Sequence, residues 1–268
     1  MGAQGISWWS LGLAFLLLVV PLVLFLMLRV KLVGSLLWSA ARMTAQLLLV
    51  GVFLVYIFDW DKPLVNAAWL LLMVAFAALS VVGSTGLRYR VYIWIVLASF
   101  LVSASLVLAY FNGLVIGLDN LLEARYAIAI TGMLLGNSLG GVIVGVGDFF
   151  KSLARDEKRY QYRLALGATR FEALSDHLRR GMAMALKPAL ANMATMGLVF
   201  LPGMMTGQIL SGEPPLLAVR YQIAIVIAIF VCVSLTVALT LLLALGVSFD
   251  AYGNMRRDAF RAKRRGPS

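Results

Sequence analysis

Charged residues divide this chain into seven uncharged, mostly apolar stretches: 11–28, 43–58, 64–82, 91–111, 127–147, 189–210 and 221–247. A helix that crosses a bilayer needs about 20 such residues, with a range of about 17–25. The composition points the same way, with 62% hydrophobic and 13% charged residues, against roughly 45–50% and 25% in soluble domains. A chain with so few charges cannot cover a soluble surface, which excludes a soluble enzyme and a disordered chain. The single cysteine, Cys232, excludes a disulfide scaffold. Residues 1–10 lack the basic region and small-residue cleavage site of a removable signal peptide, so the first stretch counts as a span.

Seven crossings place the termini on opposite sides. With the N-terminus outside, segments 29–42, 83–90, 148–188 and 248–268 lie inside and hold 20 of the 23 Lys and Arg residues, leaving Lys62, Arg125 and Arg220 outside. Basic residues retain loops on the cytosolic side, and acidic ones contribute little. The net charge of +11 is therefore a topology signal toward anionic lipid, not a nucleic-acid interface. The predicted fold class is an all-α membrane protein. It is a polytopic bundle of about seven transmembrane helices, N-terminus outside and C-terminus cytosolic. One domain covers 1–268, with a cytosolic loop at about 148–188 and a basic cytosolic tail at 248–268.

Polar residues within the apolar stretches mark the bundle interior, because an unpaired amide in hydrocarbon is costly. These are Gln46, Asn137, Asn192 and Gln208. In the fifth stretch Gly132, Gly136 and Gly140 recur every four residues, with Gly141 and Gly145 as a second pair. Small residues at this spacing let helices approach closely in lipid, with Asn137 and Ser138 bonding across the contact or facing a polar path. The run from Gly136 to Gly140 also matches G-x-S-x-G, but a serine nucleophile needs a strand–turn–helix context and a histidine at hand. The sole histidine, His177, lies in the charged loop, so an intramembrane serine hydrolase using Ser138 is a distant alternative. An ATP-independent secondary transporter is another, and it lacks the mid-span carboxylate that proton coupling calls for.

Pro202-Gly203 predicts a break in the sixth stretch, with Pro188 in its first helical turn. Met193, Met196, Met204 and Met205 flank the break. Thioethers suit soft ions, and methionine also fills irregular gaps between helices; gap filling is the plainer reading. No GxxxxGK[ST] occurs, so the chain has no phosphate loop of its own and any ATP must act through a partner. In the loop, Leu164-Ala-Leu-Gly167-Ala168-Thr169 ends a helical turn at glycine and restarts it. Phe171, Leu174 and Leu178 then form an apolar stripe beside Arg163, Arg170, Arg179 and Arg180. Such a short helix suits a partner's groove or the lipid surface.

Gly132-Met-Leu-Leu-Gly-Asn-Ser138, the Leu164–Thr169 turn, Gly197-Leu-Val-Phe-Leu-Pro-Gly-Met-Met-Thr-Gly-Gln-Ile-Leu210 and Ala218-Val-Arg-Tyr-Gln222 together resemble the bacterial iron-export ABC permease family. That family also contains plant aluminium-tolerance permeases. The resemblance covers roughly residues 30–250. It implies a non-enzymatic permease subunit in the bacterial inner membrane, paired with a second copy of itself and with a separate ABC ATPase. It also implies no cofactor of its own and a cargo tied to iron homeostasis. By the same resemblance Arg163, Leu164, Gly167, Ala168, Thr169 and Phe171 form the ATPase-coupling turn. Gly132, Gly136, Asn137, Ser138, Asn192, Met193, Met196, Pro202, Gly203, Met204, Met205, Thr206 and Gln208 are expected along the substrate path or in helix packing, with no metal ligand assigned.

Overall fold

The structure is a computed structural model and describes residues 7–250; beyond Asp250 the basic tail expected at 248–268 lies outside the described residues. Among the described residues the regular elements are helical: α1 (Trp8–Leu16), α2 (Val19–Met27), α3 (Val33–Trp60), α4 (Pro63–Thr85), α5 (Tyr89–Tyr110) with a π-helical extension (Phe111–Ile116), α6 (Ala124–Arg155), α7 (Glu157–Ala165), α8 (Arg170–Thr195), α9 (Gly203–Leu210) and α10 (Pro215–Ser248). Six helical stretches among the described residues are long and apolar enough to cross a membrane: Trp8–Met27, Val33–Trp60, Pro63–Thr85, Tyr89–Ile116, Ala124–Arg155 and Pro215–Ser248. The seventh expected span, 189–210, is not one helix. It is a broken segment made from the end of α8, a turn, and the eight-residue α9, so the described residues hold six candidate spans where about seven were expected.

Each break has a local cause. Pro21 has no N–H for the Leu17 carbonyl, and the chain tightens to i→i−3 bonds at Leu17 and Leu18 before α2 begins. Pro202 and Gly197, the latter at φ +85°, end helical geometry between α8 and α9. Pro188 does not open a helix as expected. It lies inside α8, which runs through it from Arg170 to Thr195.

The core is formed by α4, α5, α6, α8 and α10. Gly145 and Gly181 bring α6 and α8 together: a Cβ on Gly145 would stand 3.0 Å from the Gly181 carbonyl oxygen, and one on Gly181 2.9 Å from that of Gly145. Gly141 is equally crowded by Val233 of α10, at 2.7 Å. Gly136 and Gly140, also expected as packing residues, have nothing within 4 Å of a Cβ position, and Gly132 meets Met73 of α4 at 3.4 Å. The second glycine pair, not the longer stripe, makes the close crossing.

At the end opposite α7, one polar cluster fixes where α6 starts. Asn66 Nδ2 donates to Asp61 Oδ1 at 2.9 Å and to the Leu122 carbonyl at 2.8 Å, while the Ala124 N–H donates to Asp61 at 3.0 Å. These donors, the Ala124 N–H first, hold the Asp61 carboxyl below its ordinary range. Asn112 Nδ2 adds a bond to the Leu121 carbonyl at 2.8 Å.

Candidate functional site

Where α8 turns away from α6, the helices leave a cavity of ≈ 260 Å³. Met133 and Asn137 line it from α6, Asn192, Met193 and Met196 from the end of α8, Pro202, Gly203 and Met204 from the start of α9, and Gln222 from α10. The turn is held by its own polar groups: Gly197 N–H donates to the Phe200 carbonyl at 3.0 Å, and the Thr206 hydroxyl to the Pro202 carbonyl at 3.1 Å. Asn137 Nδ2 donates to the Met133 carbonyl at 2.8 Å, folding the amide against its own helix. Gln222 is only 8% exposed, its Nε2 stands 3.9 Å from Met196 Sδ, and its Oε1 has no partner.

A second cavity of ≈ 520 Å³ shares Met133, Met204 and Ile225 with the first. It leads to the end opposite α7, past Gln208, Tyr126 and Tyr221, to Glu123, Arg125 and Glu213. Gln208 Oε1 is likewise unpartnered. The two cavities adjoin at those shared residues, thioethers and amides lining the first and carboxylates and a guanidinium the far end of the second. Because Asp61 bonds the first turn of α6, it also positions Glu123 and Arg125 there.

The opposite end of α6 and α8 carries the short α7. Gly167 stands at φ +91°, a left-handed geometry that favours glycine. Thr169 then caps α8: its hydroxyl accepts the Glu172 N–H at 3.3 Å, while the Glu172 carboxylate accepts the Thr169 N–H at 2.8 Å and hydroxyl at 2.7 Å. Those bonds, the hydroxyl's first, hold the Glu172 carboxyl below its ordinary value. Arg163 pairs with Asp176 at 2.7 Å, tying α7 to α8. Leu166 at 70% and Phe171 at 60% exposure project from the turn. Leu174 and Leu178, expected on the same docking stripe, are instead buried in the core. The expected short surface helix is thus the first part of a long one.

Beneath the turn, Ser152 of α6 donates to the Phe149 carbonyl at 3.0 Å and contacts His177 Nδ1 at 3.0 Å. Burial pushes the His177 imidazole below its ordinary value, aided by Arg159 and Arg163 and opposed by Asp156 and Asp176.

The family described as an uncharacterised protein family, UPF0014, matches residues 8–249. The chain belongs to it. Its relatives include the probable iron export permease protein FetB of Escherichia coli (strain K12), 32% identical over 230 residues, 84% of this chain and 85% of FetB. The UPF0014 membrane protein STAR2 of Oryza sativa subsp. japonica is 32% identical over 202 residues, 74% of this chain and 68% of STAR2. Protein ALUMINUM SENSITIVE 3 of Arabidopsis thaliana is 30% identical over 204 residues, 74% of this chain and 71% of that protein. No solved structure matches. This UPF0014 protein is an integral membrane protein, as its apolar stretches indicated.

The UPF0014 chain divides the path residues expected from sequence into groups. Asn137, Asn192, Met193, Met196, Pro202, Gly203 and Met204 converge on the first cavity, and Gln208 lines the second. Ser138 turns the other way, donating to Cys232 Sγ of α10 at 3.5 Å. Met205 and Thr206 line neither cavity, and Gly132 and Gly136 lie off both. Of the coupling residues, Leu164 is half-buried against the core, whereas Gly167, Thr169 and Phe171 are exposed and Ala168 is intermediate. Met133 and Gln222 were missed. Met133 lies one helical turn before Asn137, and Gln222 is an isolated amide at the head of an apolar run, so both carried a signal.

Proposed function

We propose that this chain is the permease subunit of an ABC transporter in the bacterial inner membrane. A separate ATPase docks on the turn between α7 and α8 from the cytosol, and the chain itself neither hydrolyses ATP nor holds a cofactor. The cargo is an iron ion, a related metal ion or a metal-linked substrate, moved outward. The observation that carries this reading is the continuity of α6 and α8, about 48 and 39 Å long at 1.5 Å per residue. α8 begins at the exposed turn and α6 ends where α7 begins; both reach the wall of the amide-lined cavity, and each is clamped to the other at Gly145 and Gly181. A push on the turn is thereby transmitted to the cavity. The name and 32% identity of FetB support iron and export.

A second copy of the permease accounts for one further face. Gly136, Asn137, Gly140 and Asn192 are exposed on the single chain at membrane depth. Amides facing hydrocarbon are unfavourable, and small residues beside them suit helix association. Packing two copies there would bring their cavities toward each other.

The test is co-expression with candidate ATPases, ATPase assays in liposomes, and metal content of cells lacking the gene. Association, ATP-dependent transport and a raised cellular content of the cargo metal are expected. A purified chain that transports alone, indifferent to ATP, would overturn the reading.

A further inference from the structure

We infer that the cavity at the broken pass binds a soft, singly charged d10 cation such as Cu(I), through the thioethers of Met133, Met193, Met196 and Met204 and the open carbonyl oxygen of Gln222. The inference rests on the reading of this cavity as part of the cargo path. Within that reading it selects a soft monovalent member of the related metal ions and sets iron apart from it.

No aspartate, glutamate, histidine or cysteine lines the cavity. Among the described residues no group of three such ligands exists that could hold a metal ion. Thioethers select soft ions, whereas imidazole and carboxylate suit iron, zinc and manganese. Charge decides in the same direction. The cost of moving an ion out of water rises with the square of its charge, so in a neutral site a divalent ion faces about four times the penalty of a monovalent one. Nothing anionic in the wall offsets it.

Gap filling by methionine is the competing account, and two features separate them. The four thioethers border a half-open cavity of ≈ 260 Å³ instead of closing it, with Asn137, Asn192 and Gly203 exposed at its edge. Beside them Gln222 keeps a buried acceptor oxygen with no partner, while its amide nitrogen faces Met196 Sδ. A ligand that accepts donation from both sulfur and oxygen satisfies that wall. The donors also come from α6, the end of α8, α9 and α10, so movement of α6 and α8 against α9 changes how many reach the ion. The adjoining cavity places Glu123 and Glu213 at its mouth, where an ion leaving the thioethers meets carboxylates and water.

The test uses the full chain in lipid nanodiscs, titrated calorimetrically with Ag(I) as a redox-stable d10 probe and with Fe(II) under anaerobic conditions. A Cys232→Ala background removes the sole thiol as a competitor. Ag(I) binding is expected to weaken at least tenfold in the Met196→Leu/Met204→Leu variant, which keeps side-chain volume, and a few-fold in Gln222→Leu. Met205→Leu, off the cavity, should bind as the parent does, and Fe(II) should bind at least a hundredfold more weakly than Ag(I). Unchanged Ag(I) affinity in the double variant overturns the site. Fe(II) binding as tight as Ag(I), and lost in the same variant, overturns the soft-cation class. Should the double variant unfold by circular dichroism, Met133→Leu and Met193→Leu make the same comparison singly. ATPase stimulation by the parent chain without Ag(I) binding removes the cation class and leaves the permease reading. Ag(I) binding without any ATPase association does the reverse.

Discussion

The two halves of the α6–α8 contact behave in opposite ways. Near α7 the helices touch backbone to backbone at Gly145 and Gly181, with Ala185 and Val237 completing the contact. Two to three turns farther along α6 they part, and Met133, Asn137, Asn192 and Met193 line the resulting cavity. Glycines at four-residue spacing occur in both regions, yet only one pair is packed. Helix spacing in lipid is set by what stands opposite each small residue, and in the proposed permease the closed half is the fulcrum for the open one.

The fulcrum is where substitution should have the largest effect. Gly145→Leu or Gly181→Leu drives a side chain into a backbone carbonyl and should cost more than the ordinary overpacking range of about 1–3 kcal/mol. The expected outcome is a marked loss of folded, monodisperse protein in detergent by thermal scanning and gel filtration. Normal yield and stability would break the distinction between the two halves.

Next in size are changes at the turn the fulcrum connects to. An exposed aromatic that anchors a docking surface carries about 2 kcal/mol, roughly a thirtyfold change in affinity. Phe171→Ala should therefore weaken ATPase association by about that factor and leave membrane insertion intact. Gly167→Pro cannot adopt φ +91° and should separate ATP hydrolysis from transport. Full transport by both variants in liposomes would count against the turn as the coupling element.

A smaller effect is expected from pH, at the contact between His177 and Ser152. Burial lowers the folded imidazole's value below its ordinary 6.5, so the unfolded chain takes up the proton first. Stability is full above pH 6.5 and declines as pH falls from there through the depressed folded value. His177→Gln should flatten this part of the thermal stability profile; a wild-type profile that rises on acidification would refute the sign.

The smallest effect is expected at Gly136→Ala on the open half. With nothing within 4 Å, the change should be neutral or stabilising by about 0.5–1 kcal/mol through helix propensity. If a second copy packs on this face, the same substitution lowers dimer content by cross-linking while the single chain's stability holds.

Much of this architecture was legible in the residues because its signals are local. Uncharged length marks spans, Pro202-Gly203 cannot continue a helix, and Gly167 followed by a capping threonine and glutamate ends one helix and starts the next. The orientation of faces was not legible. α10 is apolar all round, so no periodicity separates its lipid side from the side bearing Gln222.

The sequence by itself determined that this is a helical membrane protein with one broken apolar segment and an exposed turn, because backbone hydrogen bonding and hydrocarbon thickness act on each segment separately. Tertiary structure alone decided that Gly145, not Gly136, makes the crossing, that Leu174 and Leu178 face inward, and that α8 runs through Pro188. It also decided that Met133 and Gln222 join Met193, Met196 and Met204 around one cavity. Those outcomes depend on which neighbour each helix face meets, and pairing between distant segments is not written in the spacing of either one.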